Sequence, residues 1–332
     1  MDIKKYVSLS KTPSHNYALM IKDLVGIDSY LSATQNHSYP TDYAIVNGVT
    51  IDKNSDNKQI CAVWTDSEYK SHATAGFYNN IVVRKEDELC FGICPSLLLN
   101  VKPVVYAQKR YNLFKITQHG NGDNAYYTIQ FGKFPKTYVG NKLNEKLEKM
   151  FLLNLAKETG KEFIGKFKDG KPTFNKEYII DGQRYVRALN QAENEDTQFL
   201  DGSKVQGNNA YSWLKVEPIE WRIENWDFLP KEINENGINR SCILVLRADA
   251  IMAGIPFYTN NQDDNRGLWQ NSTIRGYLNG LNVNNLKENG DVNFTASNGG
   301  DWTNHNFITQ ALEEELTQIS NQILAKDEDR KI

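Results

Sequence analysis

No apolar stretch of signal-peptide type follows Met1, and no run reaches the roughly 18 apolar residues that a spanning helix needs. The expectation is a chain made in the cytosol without a membrane span, reaching the outside on lysis. Cysteine is scarce: Cys61, Cys90, Cys94 and Cys242. Their spacing matches no zinc pattern, because neither a second close pair nor a ligand-spaced histidine accompanies Cys90 and Cys94. Buried, reduced thiols are expected instead. Neither sign of charge dominates. With 38 Lys and Arg against 41 Asp and Glu and a net charge of −3, the basic stripe of a nucleic-acid binder is missing. The five histidines are scattered. Spacing yields no Ser/His/Asp set and no paired carboxylates, so no catalytic residue and no cofactor are expected.

What the chain does have is an ordinary globular composition, 40% apolar and 24% charged, over enough length for one large or two ordinary domains. Asn, Gly and Tyr recur with turn-forming dipeptides, the pattern of short strands joined by polar loops. Tyr17, Met20, Ile21, Leu24, Tyr30 and Leu31 predict an amphipathic helix over 15–33, interrupted at Gly26. A short helix is expected from Thr41-Asp42, and strands from 59 to 99. Residues 101–118 and 126–131 read as strands around a turn at 120–124. Leu143, Leu147, Phe151 and Leu155 predict a helix over 142–159, ended by Gly160. Asp-Gly pairs at 169–170, 181–182 and 201–202 make 161–210 hairpins and loops. Trp213–Ile223 and Cys242–Leu246 are the best strands of the second half. A short helix is expected over 271–279, capped by Asn271 or Ser272, and a polar loop over 282–303. Ile308, Leu312, Leu316, Ile319 and Ile323 predict a C-terminal helix over 306–326.

Several polar groupings compete with structural readings. Alternation around Trp221 turns it and Ile223 inward and pairs Glu220 with Arg222 on the other face, as scaffold. Arg275 carries a planar fork suited to a carboxylate, in a ligand or in a loop of the protein. Asp263 and Asp264, in the oxygen-rich loop 260–265, are the residues for calcium if any binds, but their spacing is not that of an EF-hand, and no metal site is expected. The segment Trp64 to Asn80, with Asp66, Glu68, Tyr69, His72, Tyr78 and Asn79, has the residue types of an adaptable recognition surface.

Three groups of motifs in the second half carry a resemblance: Phe131-Gly132 with Pro135, Trp221-Arg222, and Trp269 with Ser272 and Leu278. They resemble the front half of the DUF6273 family, whose C-type-lectin-like fold is related to that of formylglycine-generating enzymes. Pro40 to Ala44, Trp64 to Ser67, and Phe91-Gly92 with Pro95 resemble that family's back half. The halves stand in reversed order. The resemblance implies an α+β fold, circularly permuted, with short twisted antiparallel strands, flanking helices and long ordered loops. Residues 1–125 would be the back half with a joining hairpin. Residues 126–302 would be the front half with an insertion at about 161–210, and 303–332 a terminal helix. Neighbouring natural termini make such a permutation tolerable. Two incomplete domains exchanged between copies are the alternative.

The function implied is a recognition or structural module presenting a loop-rich face to a protein or glycan. A homo-oligomer or a subunit of a larger particle is expected, such as a phage receptor-binding, fibre or decoration protein. An intracellular oligomeric scaffold is the alternative reading. A metal or redox enzyme of the formylglycine-generating type would need a cysteine pair. The one close pair, Cys90 and Cys94, would lie about 13 Å apart on a continuous strand, and the family has Arg where Cys94 stands.

Overall fold

The computed structural model describes residues 25–27, 38–69, 72–77, 80–83, 88–100, 116–122, 125–192, 196–207, 210–228, 243–258, 272–280, 302 and 304–315. In chain order the first part supplies β1 (Val25–Ile27), α1 (Asp42–Val46), β2 (Ile51–Lys53), β3 (Gln59–Cys61) and β4 (Val63–Tyr69). It continues with β5 (His72–Phe77), β6 (Asn80–Val83), β7 (Gly92–Ile93) and β8 (Pro95–Asn100). The middle holds β9 (Ile116–His119), β10 (Tyr126–Tyr138), α2 (Asn141–Leu152), β11 (Lys157–Ile164), β12 (Phe174–Ile180) and β13 (Gln183–Leu189). The last part holds β14 (Tyr211–Phe228), β15 (Ile243–Ala248), β16 (Met252–Ala253), α3 (Thr273–Asn279) and a π-helical turn at Ile308–Leu312. The fold is mixed and β-rich, with few helices. No helix among the described residues is long and apolar enough to cross a membrane.

The long strand β14 is the axis of a nine-stranded antiparallel sheet. Its start pairs with β13, its middle with β10, and its end with β15. Along its second half Ile219, Trp221 and Ile223 are buried, Glu220 is exposed and Arg222 half-buried. That is the period of two expected of a strand with one face in a core. The Arg222 guanidinium lies 4.6 Å from the Tyr126 ring centroid. From β15 the sheet runs to β8 and β1, which belong to the first hundred residues. A single core cluster joins Tyr43, Trp64 and Phe91 to Trp221 and Tyr277. The first hundred residues and the segment around Trp221 therefore share one sheet and one core.

The two faces of the sheet are covered differently. Val186, Ala188 and Leu214 point into the main core, whereas Tyr178, Ile180, Tyr185 and Trp213 form a second cluster under α2. Helix α2 seals it with Leu147, fully buried, and with Leu143, Met150 and Phe151. Beside them Glu148 accepts two hydrogen bonds from Arg187, at 2.9 and 2.6 Å, and one from the Trp213 indole at 2.9 Å. Arg187 foremost, with Trp213, holds the Glu148 carboxyl below its ordinary value of 4.5. A lowered folded pKa adds stability above the unfolded value and forfeits it as pH falls through that window. Glu148→Gln is expected to lower the urea midpoint at pH 7 and to flatten its decline between pH 7 and about pH 3. Equal slopes for variant and parent would remove Glu148 from the acid response.

Local signals account for several elements. Thr41 caps α1, its Oγ1 accepting from the Ala44 N–H, and Ser272 caps α3 by accepting from Arg275 N–H. Asp181 and Gly182, both at positive φ, form the two-residue turn between β12 and β13. β9 pairs with β10 across the turn near Gly120, as the sequence suggests.

Other expectations need correction. Val25–Ile27 within the expected helix 15–33 is a strand, because pairing with Pro95–Leu97 outweighs helical spacing. The helix expected over 142–159 ends at Leu152. Asn154 takes a left-handed conformation at φ 58°, and Lys157 already pairs with Ile179. Leu155 is accordingly 60% exposed and no part of the buried stripe. Within the strands expected from 59 to 99, residues 89–93 hold only the two-residue strand Gly92–Ile93. The loop 282–303, apart from Trp302, and the C-terminal helix beyond 315 lie outside the described residues.

Candidate functional site

The hairpin β2–β3 and the loop 196–205 stand side by side and enclose an open cleft of about 410 Å³. Thr50, Asp52, Lys53 and Gln59 line one wall, and Asp196, Thr197 and Gln198 the other. The hairpin reverses at Asn54, whose carboxamide oxygen accepts from the N–H groups of Asp56 and Lys58 at 3.1 and 2.9 Å. This is the local side-chain-to-backbone bonding that makes Asn a turn former. The loop closes on itself through Phe199 N–H to the Ser203 carbonyl and Val205 N–H to the Thr197 carbonyl.

Three anchors hold the loop at the hairpin, two of them buried. Phe199, 1% exposed, stacks on Tyr138 with ring centroids 4.0 Å apart. The Asp42 carboxylate, in the first turn of α1, accepts from Leu200 N–H at 2.7 Å and from Tyr138 N–H at 2.8 Å. Gln59 Nε2 donates to the carbonyls of Gln198 and Phe199 at 3.2 and 3.4 Å. Those two donations fix the amide orientation, since a flip would set oxygen against two carbonyl oxygens. Gln59 Oε1 is then a buried acceptor at the cleft without a hydrogen-bond partner. Asp52 on one wall and Asp196 on the other give the cleft two carboxylates, suited to a ligand that brings hydroxyl, amide or ammonium donors. Lys204, 3.5 Å from Asp196, is exposed and leaves that carboxylate largely solvated.

The recognition residues expected from sequence fall elsewhere. Trp64 is a correction: it is fully buried, donates from its indole to the Ile255 carbonyl at 3.3 Å and packs on Phe91 and Phe257. It is therefore a core residue and no part of an exposed face. Arg275, 8% exposed within α3, is likewise not presented to a surface ligand. The backbones of Asp66, Glu68 and Tyr69 lie in β4, of His72 in β5 and of Asn80 in β6. Tyr78, Asn79, Asp263, Asp264 and Trp269 lie outside the described residues. Phe131, Gly132, Pro135, Trp221, Ser272, Leu278, Phe91, Gly92 and Pro95 are buried, and Trp221 donates to the Phe131 carbonyl at 2.6 Å.

Cys90 precedes β7 and Cys94 follows it. Cys94 is buried and Cys90 half-buried. Among the described residues no group of three or more His, Cys, Asp or Glu side chains is placed to hold a metal ion. The cleft residues were missed in the sequence because Gln59 and the loop it binds are 139 positions apart. No motif marks either wall. Comparison of the chain with protein-family models, with curated proteins and with solved structures finds no match.

Proposed function

We propose that this chain is a non-enzymatic recognition module that binds a polar, hydrogen-bond-donating ligand, from a glycan or an extended peptide, in the cleft between the β2–β3 hairpin and the loop 196–205. The observation that carries the reading is the pair of carboxylates, Asp52 and Asp196, on facing walls of a cleft whose hairpin and loop are tied together by the Gln59 amide donations. The loop opposite is anchored from below by Asp42 and Phe199. Such pre-organisation reduces the ordering cost of binding. The permuted lectin-like topology suggested by the motifs, and a phage virion as its setting, belong to the same proposal. The sharing of one sheet by β8, β15 and β14 agrees with the permuted order.

The test is a glycan array and a polar-peptide array probed with the full chain, followed by calorimetry on the best binder. Asp52→Ala, a surface change, is expected to weaken that binder by roughly 10- to 100-fold, the loss of one hydrogen bond to a charged group. A binder unaffected by Asp52→Ala and Asp196→Ala would place recognition elsewhere. No binding on either array would end the proposal.

A further inference from the structure

Residues 306–315 start as an ordinary helical turn and then take in one residue too many. Asn306 caps the start, its Oδ1 accepting from Thr309 N–H at 3.0 Å. Gln310 N–H bonds to the Asn306 carbonyl, four residues back, at 2.9 Å. Glu313 N–H bonds instead to the Ile308 carbonyl, five residues back. This is a π-bulge, an uncommon feature found frequently at functional sites. The turn also leaves a buried donor unsatisfied in this register. Gln310, 4% exposed, accepts from the Tyr277 hydroxyl on Oε1 at 2.6 Å, while its Nε2 has no acceptor.

Three consecutive glutamates, Glu313, Glu314 and Glu315, follow the bulge. Glu314 meets Arg184 at 2.7 Å and Lys133 at 3.6 Å. Glu315 accepts from Gly132 N–H at 2.6 Å. Arg184 is fixed in turn by the buried Glu177 at 2.8 Å, and Lys161 lies in the field of both Glu313 and Glu314. The Arg184 guanidinium and the Gly132 N–H are therefore two carboxylate receptors set in the sheet. Taking the extra residue out of the bulge would move each later residue into the place of its successor. Glu313 would then stand at Arg184 and Glu314 at Gly132 N–H. Both receptors stay filled in either register, because all three residues are glutamate. A different residue at 313 or 314 would tie the turn to one register. What changes is the exit, since the chain would leave residue 315 turned by about 100° and advanced by about 1.5 Å.

We infer that residues 313–315 exchange between two registers one residue apart. One is the π-bulged register of this structure, and the other is an α-helical register with Glu313 on Arg184 and Glu314 on Gly132 N–H. One-residue helix slips of this kind are bistable elements on the microsecond-to-millisecond scale. The exchange does not involve the cleft. Relaxation-dispersion NMR on the full chain tests it, read at the amides of Gly132 and 313–315 and at the Arg184 side chain. The parent is expected to show one shared exchange process with a second state at about 1–10%. Glu315→Gln removes a carboxylate that only the bulged register needs, and is expected to raise the second state roughly tenfold. Glu313→Gln removes one that only the α-helical register needs, and is expected to lower it by the same factor. The two variants should therefore displace these resonances in opposite directions along one line, with the rest of the spectrum unchanged. A parent without exchange at these sites overturns the inference. So do variants that displace the resonances in the same direction or disturb only their own site.

Discussion

Replacing Gly132 with alanine is expected to cost the protein about 2–4 kcal/mol in urea unfolding, from left-handed strain plus overpacking. The strain arises because Gly132 sits at φ 75°, at the irregularity where β10 shifts register against β14 between Gln130 and Lys133. The steric part is tertiary. A Cβ at this position would lie 2.6 Å from a Leu312 methyl and 2.8 Å from the Ala311 carbonyl oxygen. The methyl can turn away, but the carbonyl belongs to the π-helical turn and moves only with it. That turn is also tied to β10 by Glu315, which accepts from Gly132 N–H at 2.6 Å. Gly170 serves as the control: φ is 72° there and a Cβ would meet nothing within 4 Å. Gly170→Ala should cost only the conformational part, about 1–2 kcal/mol. Equal losses for the two variants would show that the approach of residues 311–312 does not require glycine.

Asp42→Ala is the other large expected loss, about 2–4 kcal/mol, because it leaves two backbone donors without acceptors. The N–H of Tyr138 is buried and that of Leu200 partly so. Both end on the same carboxylate, itself 1% exposed. Asp42→Asn keeps one acceptor and should cost about half as much. The two variants also differ from the parent in pH response. Burial foremost raises the Asp42 pKa above its ordinary 3.8 and outweighs the two backbone hydrogen bonds, with Asp201 and Glu217 adding to the rise. Above 3.8 the folded state then holds a proton that the unfolded state has lost. The Asp42 contribution to stability therefore falls as pH rises through that window, opposite in sign to that of Glu148. Asp42→Asn should remove this falling component, and urea midpoints measured in steps above pH 3.8 would reveal it. A loss for Asp42→Ala within about 0.5 kcal/mol of the parent, the range of an ordinary surface change, would mean water replaces the carboxylate. Because Leu200 belongs to the cleft loop, Asp42→Ala should also weaken ligand capture without touching the ligand.

Much of the local structure is legible in the residues. Thr41 and Ser272 announce their helices because a cap is a contact within three or four residues. Asp181-Gly182 announces its hairpin because the two-residue turn needs positive φ twice. The Trp221 alternation announces its strand for the same local reason. Misreadings occur where a distant partner decides. Val25–Ile27 lies in a stretch of helical apolar spacing in sequence, but in space it pairs with Pro95–Leu97. Leu155 continues the periodicity of α2, yet the chain has already turned at Asn154 to begin pairing with β12. Trp64 has the surroundings of a surface residue in sequence, and Ile255 and Phe257 enclose it from nearly two hundred positions away (|i−j| of 191). The cleft is the extreme case, since its walls meet only through Gln59, Asp42 and Phe199.

What the residues decide alone here is whatever is settled within one turn of chain: caps, hairpin reversals, strand alternation, the balance of charge, and the lack of a long apolar run. Which strands share the sheet through β14, which aromatic rings are hidden, where the cleft opens and which leucines stay outside were decided only when distant segments packed. The physical reason is that burial and hydrogen-bond satisfaction are properties of pairs, and here the deciding partners lie a hundred or more positions apart.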